Sequence, residues 1–458
     1  MTVLLKVFTL LGGLAFFLYG MNVMSGGLGK LAGGSLERSL KTMTKNRFAG
    51  MALGAVITIA IQSSSAMTVM LVGLVNSGIM QLGQTIGVIM GSNIGTTLTP
   101  WILSLSGVNG TGWIQLLKPE NFSPIIAFIG VVLIMMCKKP RKRDIGKILV
   151  GFAVLMYGME AMSGAVSPLR SSESFRNLLL LFSNPLLGVL AGAVFTAIIQ
   201  SSSASVGVLQ ALASTGAITM ASAIPIIMGQ NIGTCVTAML SSIGANTNAK
   251  RAAVVHLSFN IIGTAVMLVV FCVVRVMLQP AFLSLPATAA TIAVAHSLFN
   301  IACTAILMPA SGLLEKLSIA VVPDKTAKES TDSMLDERLM TTPAIAVERC
   351  RVVALDMAKE AAEALNLSID SLSSPNPALG ERIRNLEDST DRYEDHLGTY
   401  LLTLARRPMA ASDSDESGRL LHLISDFERI ADHATNIGEW SVYLSTGTHP
   451  LDKELRQE

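Results

Sequence analysis

Long apolar segments separated by short polar ones dominate the first 310 residues of the chain. Such segments, when they reach about 20 residues, can cross the hydrocarbon core of a bilayer as helices. Seven of them are long enough, or nearly so: 4–28, 82–104, 122–137, 147–168, 221–243, 252–278 and 288–309. The pattern therefore predicts seven transmembrane crossings.

Two further apolar stretches, near 48–79 and 186–217, have a polar cluster at their centre. Each consists of two arms of about 13 residues, and each arm is shorter than the roughly 20 residues that a membrane-spanning helix needs. Irregular backbone at membrane depth is tolerated only where protein or a water-filled cavity surrounds it. We therefore predict two re-entrant hairpins, and the alternative is one interrupted helix in each stretch.

Beyond Pro323 the pattern becomes polar and then amphipathic. Residues 324–340 are polar, and three helical stretches follow near 342–372, 378–406 and 415–444. Apolar residues recur in the second stretch at the three-to-four spacing of one helix face: Leu386, Tyr393, Leu397, Leu401 and Leu404. This periodicity predicts a three-helix bundle.

The sequence of the membrane part contains an internal repeat, with a constant offset of 138 residues. Gln62–Ala66 recurs as Gln200–Ala204, and the block Met90–Thr97 recurs as Met228–Cys235. A Tyr-Gly-Met sequence at Tyr19 also returns at Tyr157. Several blocks at one unbroken offset indicate an internal duplication.

Composition separates the two parts of the chain. Hydrophobic residues make up 51% of the chain and charged residues 14%, whereas about 25% charged residues is usual in soluble proteins. Residues 1–325 have a net charge of +13, and residues 326–458 have a net charge of −11. The fold class we predict is an all-α membrane protein with an acidic, soluble three-helix bundle at its C-terminal end.

Two basic segments set the predicted orientation. Residues 29–48 and 138–147 are rich in Lys and Arg, and such loops are retained in the cytoplasm. With both loops inside and the hairpins not crossing, the N-terminus lies outside and the C-terminal domain lies in the cytoplasm. The first repeat then crosses the membrane three times, so the repeats are inverted and their hairpins enter from opposite faces. Inverted repeats with broken helices are the usual architecture of a secondary transporter.

These patterns divide the chain into four regions. We expect the first transmembrane repeat in 1–137, the second repeat with an extra helix in 147–310, a linker in 311–340 and the helical domain in 341–458.

The polar clusters predict an anion site. A hairpin tip exposes free backbone N–H groups at a helix N-terminus, and serine hydroxyls add further donors. Two tips from inverted repeats would close on one tetrahedral anion from both sides. The candidate anion-binding residues are Gln62, Ser63, Ser64, Ser65, Gln200, Ser201, Ser202 and Ser203. The alternative is that the serines bond to the helix backbone or join neighbouring helices.

The repeated Asn-Ile-Gly-Thr blocks predict a sodium site. Glycines on both sides of the Asn favour local unwinding of the helix, and free carbonyl, amide and hydroxyl oxygens are hard ligands suited to Na⁺. The candidate sodium ligands in these blocks are Asn93, Thr96, Thr97, Asn231 and Thr234. The alternative role for the glycines is close helix packing. No Arg or Lys occurs in or beside the Gln-Ser-Ser-Ser clusters, so bound Na⁺ would balance the charge of the anion.

These paired motifs, together with His256–Asn260, resemble the type II sodium-dependent phosphate cotransporter family over about residues 4–310. The resemblance implies a sodium-coupled phosphate transporter of the cytoplasmic (inner) membrane, with phosphate and Na⁺ bound at the residues named above. It also implies that the Gln-Ser-Ser-Ser tips contribute to a sodium site, here through Gln62 and Gln200. The second repeat has Cys235 where the first has Thr97, so we expect the two half-sites to differ. The motif His256–Asn260 recurs as His296–Asn300, and we interpret both first as helix-packing features and second as gates or supporting groups.

The C-terminal part resembles PhoU-type phosphate-regulatory domains over about 342–444. In that family two Glu-x-x-x-Asp motifs bind metal ions, which here implies Glu387, Asp391, Glu428 and Asp432 as ligands of a divalent or transition metal. Stand-alone members contain two such bundles and this chain contains one. The metal site would therefore need a partner subunit, and a homo-oligomer or a regulatory partner is expected to act through this bundle.

Other functions are weaker alternatives. A symporter for sulfate or a dicarboxylate would share this architecture, and a phosphate sensor would bind without transport. The sequence has no Ser-His-Asp ordering, no glycine-rich phosphate loop ending in Lys and no zinc-ligand spacing, so we expect no enzymatic activity. We also expect no nucleic-acid partner.

Overall fold

The computed structural model of the chain describes residues 2–32, 46–107, 118–168, 182–323, 335–374, 376–407 and 409–445. These residues form sixteen α-helices and no β-strand. In the first part they are α1 (Thr2–Ala32), α2 (Arg47–Ile61), α3 (Ser64–Asn76), α4 (Leu82–Thr96), α5 (Leu98–Ser104), α6 (Pro119–Met136), α7 (Pro140–Val166), α8 (Pro185–Ile199), α9 (Ser202–Ala213), α10 (Met220–Ser241), α11 (Thr247–Met277), α12 (Ala289–Leu307) and α13 (Ser311–Val321). In the second part they are α14 (Pro343–Ser373), α15 (Pro377–Ala405) and α16 (Ala411–Ser445). The chain divides into two compact units, Met1–Lys328 and Glu329–Glu458.

Six helical segments in the described ranges are long and apolar enough to cross a membrane. They are Leu4–Leu31, Leu82–Ser104, Pro140–Val166, Met220–Ser241, Thr247–Met277 and Ala289–Leu307. The predicted seventh crossing near 122–137 is helix α6, whose apolar part, Asn121–Met136, belongs to the shorter class of helix. The chain is therefore a nearly all-helical, multi-pass membrane protein, as the sequence predicts, and six of the seven predicted crossings have the length and hydropathy of a span.

The turns at the two serine clusters are confirmed. Helix α2 ends at Gln62, whose φ of 53° is left-handed, and α8 ends at Gln200 with a φ of 59°. The next residue in each case is extended and caps the following helix. The Thr196 hydroxyl, before the second turn, donates to the Ser205 hydroxyl after it at 2.7 Å. A straight helix would separate residues nine apart by about 13 Å, so the second segment folds back as a hairpin, and the first has the same backbone angles at its turn.

The first arm of each hairpin, α2 or α8, packs closely on the helix that carries the Asn-Ile-Gly-Thr block, α4 or α10. A Cβ atom added to Gly91 of α4 would lie 1.9 Å from the carbonyl oxygen of Met51 in α2. The corresponding Gly229 of α10 would meet the carbonyl oxygen of Val189 in α8, also at 1.9 Å. The expected unwinding at these glycines is therefore wrong, because both lie inside regular helix and serve close packing instead. The first repeat breaks only later, at Thr97 between α4 and α5.

Corresponding helices of the two repeats, α1 and α7, also pack directly on each other. Gly20 of α1 would direct a Cβ to within 2.6 Å of the Gly151 carbonyl, and Gly13 would approach the Gly158 carbonyl at 3.0 Å. The earlier glycine of α1, Gly13, contacts the later glycine of α7, Gly158, and the later one, Gly20, contacts the earlier one, Gly151. The two helices are therefore antiparallel. Because Gly151 corresponds to Gly13 and Gly158 to Gly20, each contact is repeated with the roles of the two repeats exchanged.

Helix α13 lies within the stretch 311–340 that the sequence suggested as a linker. Its residues Ser311 and Leu314 are buried, and the Arg47 side chain at the start of α2 donates to the Ser311 hydroxyl at 2.7 Å. The start of the linker is therefore corrected to follow Val321, because the apolar face of 311–321 packs on the membrane unit as a helix.

The second unit contains the predicted three-helix bundle. Helices α14, α15 and α16 pack together, with Ala364, Ile383 and Ala434 in a fully buried cluster. Leu397, Leu401 and Leu404 of the predicted apolar face are also fully buried. Helix α16 begins four residues before the predicted 415, because Ala410 accepts the first helical hydrogen bonds, from the N–H groups of Asp413 and Ser414.

Candidate functional site

The two hairpin tips meet inside the membrane unit. The Ser65 hydroxyl of the first tip donates to the Gln200 carbonyl oxygen of the second tip, at 3.3 Å. A second connection runs through Thr99 of α5, which donates to the Gln62 amide oxygen at 2.9 Å and accepts from the Ser203 hydroxyl at 3.3 Å. The structure therefore brings residues of both Gln-Ser-Ser-Ser clusters, 138 positions apart, into one polar site.

Each tip presents the N-terminus of a helix. Ser63 and Ser201 are N-caps, and their hydroxyl oxygens accept from the N–H groups of Ala66 and Ala204 at 3.1 and 3.2 Å. The N–H groups of the first two residues of each helix have no partner within the helix. These residues are Ser64 and Ser65 in α3 and Ser202 and Ser203 in α9. Two helix N-termini that converge in this way supply backbone donors and a positive electrostatic potential suited to an anion.

The serine residues of each tip divide into two roles. The hydroxyl oxygens of Ser63 and Ser201 are occupied as cap acceptors, although each keeps its O–H as a donor. Ser64, Ser202 and Ser203 are buried to 95% or more. Burying hydroxyls at this depth costs free energy unless they find a partner. Ser203 meets this cost through its bond to Thr99, and an anion bound between the tips can accept from the hydroxyls of Ser64 and Ser202.

The two halves of the site differ in this conformation. Gln62 is 7% exposed and bonded to Thr99, whereas the Gln200 side chain is exposed. The counterpart of Thr99 in the second repeat is Thr237, whose hydroxyl is buried and has no hydrogen-bond partner in the described part of the chain. The two tips are therefore equivalent in backbone conformation but differ in the burial of their glutamine side chains.

The Asn residues of the repeated blocks are buried with part of their amides unpaired. Asn93 and Asn231 are each 3% exposed, and the Nδ2 atom of each lacks a hydrogen-bond partner among the residues that the structure describes. Rotation of the amide by 180° exchanges its nitrogen and oxygen, so each Asn can present either a donor to an anion or an oxygen to Na⁺.

The threonines of these blocks have their hydroxyl protons engaged by the helix. Thr96 donates to the Ser92 carbonyl, Thr97 to the Ile94 carbonyl and Thr234 to the Gln230 carbonyl, at 2.7 to 3.0 Å. A hydroxyl used in this way keeps its oxygen lone pairs for a cation. Thr58, one turn before the first tip, also donates to the Ser92 hydroxyl at 2.9 Å, which ties this hairpin to the block beside Asn93.

Thr99 is the site residue that the sequence interpretation missed, and Thr237 is its counterpart in the second repeat. They follow Thr96 and Thr234 by three residues and are related by the same offset of 138. This matching position marks both threonines as repeated, but it does not show that Thr99 reaches Gln62.

The four carboxylates proposed for the C-terminal domain lie near one another without forming a closed metal site. Burial, followed by the neighbouring Asp391, Asp388 and Asp432, raises the pKa of Glu387. Burial and then Asp432, with Glu394, raise the pKa of Glu428. However, no three His, Cys, Asp or Glu side chains in the described ranges are placed to hold a metal ion. The single bundle thus concentrates negative charge along α15 and α16.

A helical multi-pass membrane unit with a buried polar site between two internal repeats defines the chain as a membrane transporter. Comparison with known families gives its place in that class. The Na⁺/Pi-cotransporter family matches residues 16–164 and again residues 155–300, and the PhoU domain matches residues 354–441. The chain belongs to the Na⁺/Pi-cotransporter family, and the double match reproduces the internal duplication.

Three relatives illustrate the similarity. The uncharacterized protein YqeW of Bacillus subtilis is 28% identical over 311 residues, which cover 68% of this chain and 96% of that protein. YjbB of Escherichia coli, whose name assigns it to inorganic phosphate export, is 23% identical over 439 residues, 95% of this chain and 78% of its own. The sodium-dependent phosphate transport protein 2A of Rattus norvegicus is 38% identical over 107 residues, 23% of this chain and 17% of the rat protein. No solved structure matches the chain.

Proposed function

We propose that the protein is a sodium-coupled transporter of inorganic phosphate in the cytoplasmic membrane. The observation that supports this most strongly is the meeting of the two hairpin tips, joined through Ser65 and Gln200 and through Gln62, Thr99 and Ser203. Membership of the Na⁺/Pi-cotransporter family and the names of two relatives support the same transported ion, phosphate.

Phosphate in this proposal is held by backbone and hydroxyl donors. The N–H groups of Ser64, Ser65, Ser202 and Ser203 point from two helix N-termini into one site, and the serine hydroxyls and the amides of Gln62 and Gln200 add further donors. Each charge-assisted hydrogen bond to an oxyanion contributes more than a neutral one. A tetrahedral oxyanion offers four acceptor oxygens, which matches this set of donors.

Sodium supplies the positive charge that these donors lack. The clusters contain no Lys or Arg, and helix N-termini carry only partial charges. Oxygens of Gln62, Asn93, Thr96, Thr97, Gln200, Asn231 and Thr234 are the proposed ligands, and Thr99 and Thr237 extend the set. A cation bound beside the anion strengthens anion binding, and linkage requires the reverse effect to be equal.

Alternating access follows from an inverted relation between the repeats. The antiparallel contacts between α1 and α7 support this relation, because each contact recurs with the two repeats exchanged. We place the N-terminus outside and the C-terminal bundle in the cytoplasm, on the basis of the basic segments 29–48 and 138–147. The PhoU-like bundle would then regulate transport from the cytoplasmic side, through a second copy or another partner.

Transport by the purified protein in liposomes tests this function. We expect uptake of radiolabelled phosphate under an inward Na⁺ gradient and little uptake under a K⁺ gradient of the same size. Excess unlabelled phosphate should compete, whereas sulfate or a dicarboxylate at the same concentration should not. Uptake that ignores the Na⁺ gradient would contradict the coupling, and phosphate binding without any flux would make the protein a sensor.

A further inference from the structure

The second repeat contains a hydrogen-bonded connection between α10 and α11 that no step of the proposed function uses. Asn260 of α11 donates from Nδ2 to the Cys235 sulfur of α10 at 3.3 Å, and to the His256 carbonyl of its own helix at 3.0 Å. Cys235, His256 and Asn260 are all exposed by 2% or less. Breaking a buried polar contact of this kind costs free energy, because the amide nitrogen would keep only its bond to the His256 carbonyl.

Cys235 carries this connection to the proposed sodium site. Its thiol lies 3.6 Å from the Asn231 carbonyl oxygen, one helical turn earlier, and also 3.6 Å from the His256 carbonyl oxygen. Asn231 is a proposed sodium ligand whose amide nitrogen is buried and has no partner in the described residues. The sulfur therefore lies between the ion-binding turn of α10 and the neighbouring helix.

The described part of the first repeat shows no equivalent connection. Thr97 occupies the position of Cys235, and its hydroxyl donates to the Ile94 carbonyl within the same helix segment. Asn300 provides a second comparison, because it ends the same His-x-x-Phe-Asn motif on α12. Its amide donates to the His296 carbonyl at 2.9 Å, and the described residues show no bond from it to another helix. Of the two motif asparagines, Asn260 is therefore the one that bonds to a sodium-site helix in the described residues; Thr264, one turn later on α11, also donates to α10, at the Met228 carbonyl.

We infer that Asn260 is a positioning residue that holds the second-repeat half of the sodium site in place through Cys235. The bond fixes the rotation of α10 about its axis at Cys235, and with it the direction of the Asn231 amide one turn away. Because a half-site held in this way already has its binding geometry, Na⁺ binding does not require a further loss of conformational entropy there. The inference rests on the proposed function. It distinguishes the two half-sites, because the bond through Cys235 positions only the half-site of the second repeat.

Two matched pairs of substitutions test the inference in the full-length protein in liposomes. Asn260→Leu removes the bond and keeps the branching and the number of heavy atoms of the side chain, although Leu is larger than Asn. Asn300→Leu makes the same change, with the same increase in size, at a buried Asn for which the described residues show no bond to another helix. Cys235→Ala removes the sulfur, and Cys235→Ser retains a hydroxyl that can accept from Asn260. The quantities measured are the Na⁺ concentration for half-maximal uptake and the maximal rate at saturating Na⁺.

We expect Asn260→Leu and Cys235→Ala to raise the half-saturating Na⁺ concentration about three- to tenfold, the size of one lost hydrogen bond. The maximal rate and the phosphate KM at saturating Na⁺ should change less than twofold, and Asn300→Leu and Cys235→Ser should resemble the wild type. Equal effects of Asn260→Leu and Asn300→Leu, or a fall in maximal rate alone, would overturn the positioning role. If Asn260→Leu does not fold, the Cys235 pair decides alone. Loss of Na⁺ dependence in the wild type would instead refute the proposed function.

Discussion

At the scale of residues, the site is built from neutral groups whose backbone conformations are unusual. Gln62 and Gln200 both have a left-handed backbone, which residues other than Gly seldom adopt. Such a conformation costs roughly 1–3 kcal/mol and persists where the surrounding structure enforces it. Its occurrence at matching positions of both repeats indicates that the turn geometry itself is needed, since it directs the helix N-termini into the site.

The first prediction concerns Thr99, which joins the two tips. Thr99→Val keeps the shape of the side chain and removes its hydrogen bonds to Gln62 and Ser203. Two bonds worth about 0.5–1.5 kcal/mol each should raise the phosphate KM about tenfold, measured as sodium-driven uptake in liposomes. Thr99→Ser, which retains the hydroxyl, is the control and should stay close to the wild type. A normal phosphate KM in Thr99→Val would show that this connection does not shape the site.

The residues of the tips could be predicted from the sequence because they are polar, clustered and repeated within apolar segments. Their partners could not all be found in the same way. A threonine near the end of an apolar helix is common, and only its position in the fold shows that Thr99 reaches Gln62. The difference in exposure between Gln62 and Gln200 belongs to one conformation of the protein and has no signal in the sequence.

At the scale of elements, glycine contacts set how closely the hairpins approach their supporting helices. Gly91 of α4 and Gly229 of α10 leave room for carbonyl oxygens of α2 and α8 at distances that no side chain permits. Small residues have this role in membrane helices, where close backbone approach replaces the hydrophobic effect as a source of packing energy. These contacts hold the hairpin arms against α4 and α10, and the position of the arms determines where the tips lie.

The second prediction follows from this packing. Gly91→Ala or Gly229→Ala should destabilise the membrane unit by about 1–3 kcal/mol, the usual cost of overpacking, and lower its thermal midpoint in detergent. Gly12→Ala on α1 is the control, because no atom lies within 4 Å of the added methyl group. It should leave the midpoint unchanged or raise it slightly, since Ala favours helix by about 0.5–1 kcal/mol over Gly. Equal midpoints for all three variants would argue against the close contact.

The sequence predicted which elements exist better than it predicted their internal geometry. Hairpin turns follow from arms that are too short to span a membrane, and the bundle follows from its apolar period. The unwinding proposed at the Asn-Ile-Gly-Thr blocks was wrong because a glycine pair in a membrane helix is compatible with both unwinding and close packing. Only the neighbouring helix decides between them. The position of α13 also depended on a contact, between Arg47 and Ser311, that is distant in sequence.

At the scale of the whole molecule, the chain joins two units of opposite charge and different surroundings. The membrane unit has a net positive charge, and the C-terminal bundle concentrates carboxylates along α15 and α16. The hydropathy and charge patterns were sufficient to separate the two units. The direction of the repeats in the membrane and the placement of the termini stay predictions.

The third prediction concerns the pH dependence of the bundle. Burial and neighbouring carboxylates raise the pKa values of Glu387, Asp391 and Glu428 in the folded state. A raised pKa means that the folded bundle takes up protons more readily than the unfolded chain, so its stability falls as the pH rises through the raised values. Glu387→Gln should therefore stabilise the bundle at pH 7, and this gain should vanish as the pH is lowered through the usual carboxylate range near 4.

Tryptophan fluorescence can follow this unit within the full chain. Trp101→Phe and Trp113→Phe leave Trp440 of α16 as the reporter, since the chain has three tryptophans. A suitable control is Asp356→Asn on α14, whose carboxylate is paired with Lys359. If Glu387→Gln lowered the unfolding midpoint of the bundle at pH 7, the Glu387 carboxylate would stabilise the fold. The predicted direction of the effect would then be wrong.

The central claim is that two serine-rich turns hold phosphate whose charge is balanced by Na⁺. Equilibrium binding of radiolabelled phosphate to the purified protein, titrated at several Na⁺ concentrations with K⁺ keeping the ionic strength constant, tests this claim most directly. We predict that saturating Na⁺ tightens phosphate binding about five- to 150-fold, the usual range of coupling between two ligands, and that phosphate tightens Na⁺ binding by the same factor. Phosphate affinity that stays the same when K⁺ replaces Na⁺ would contradict the account.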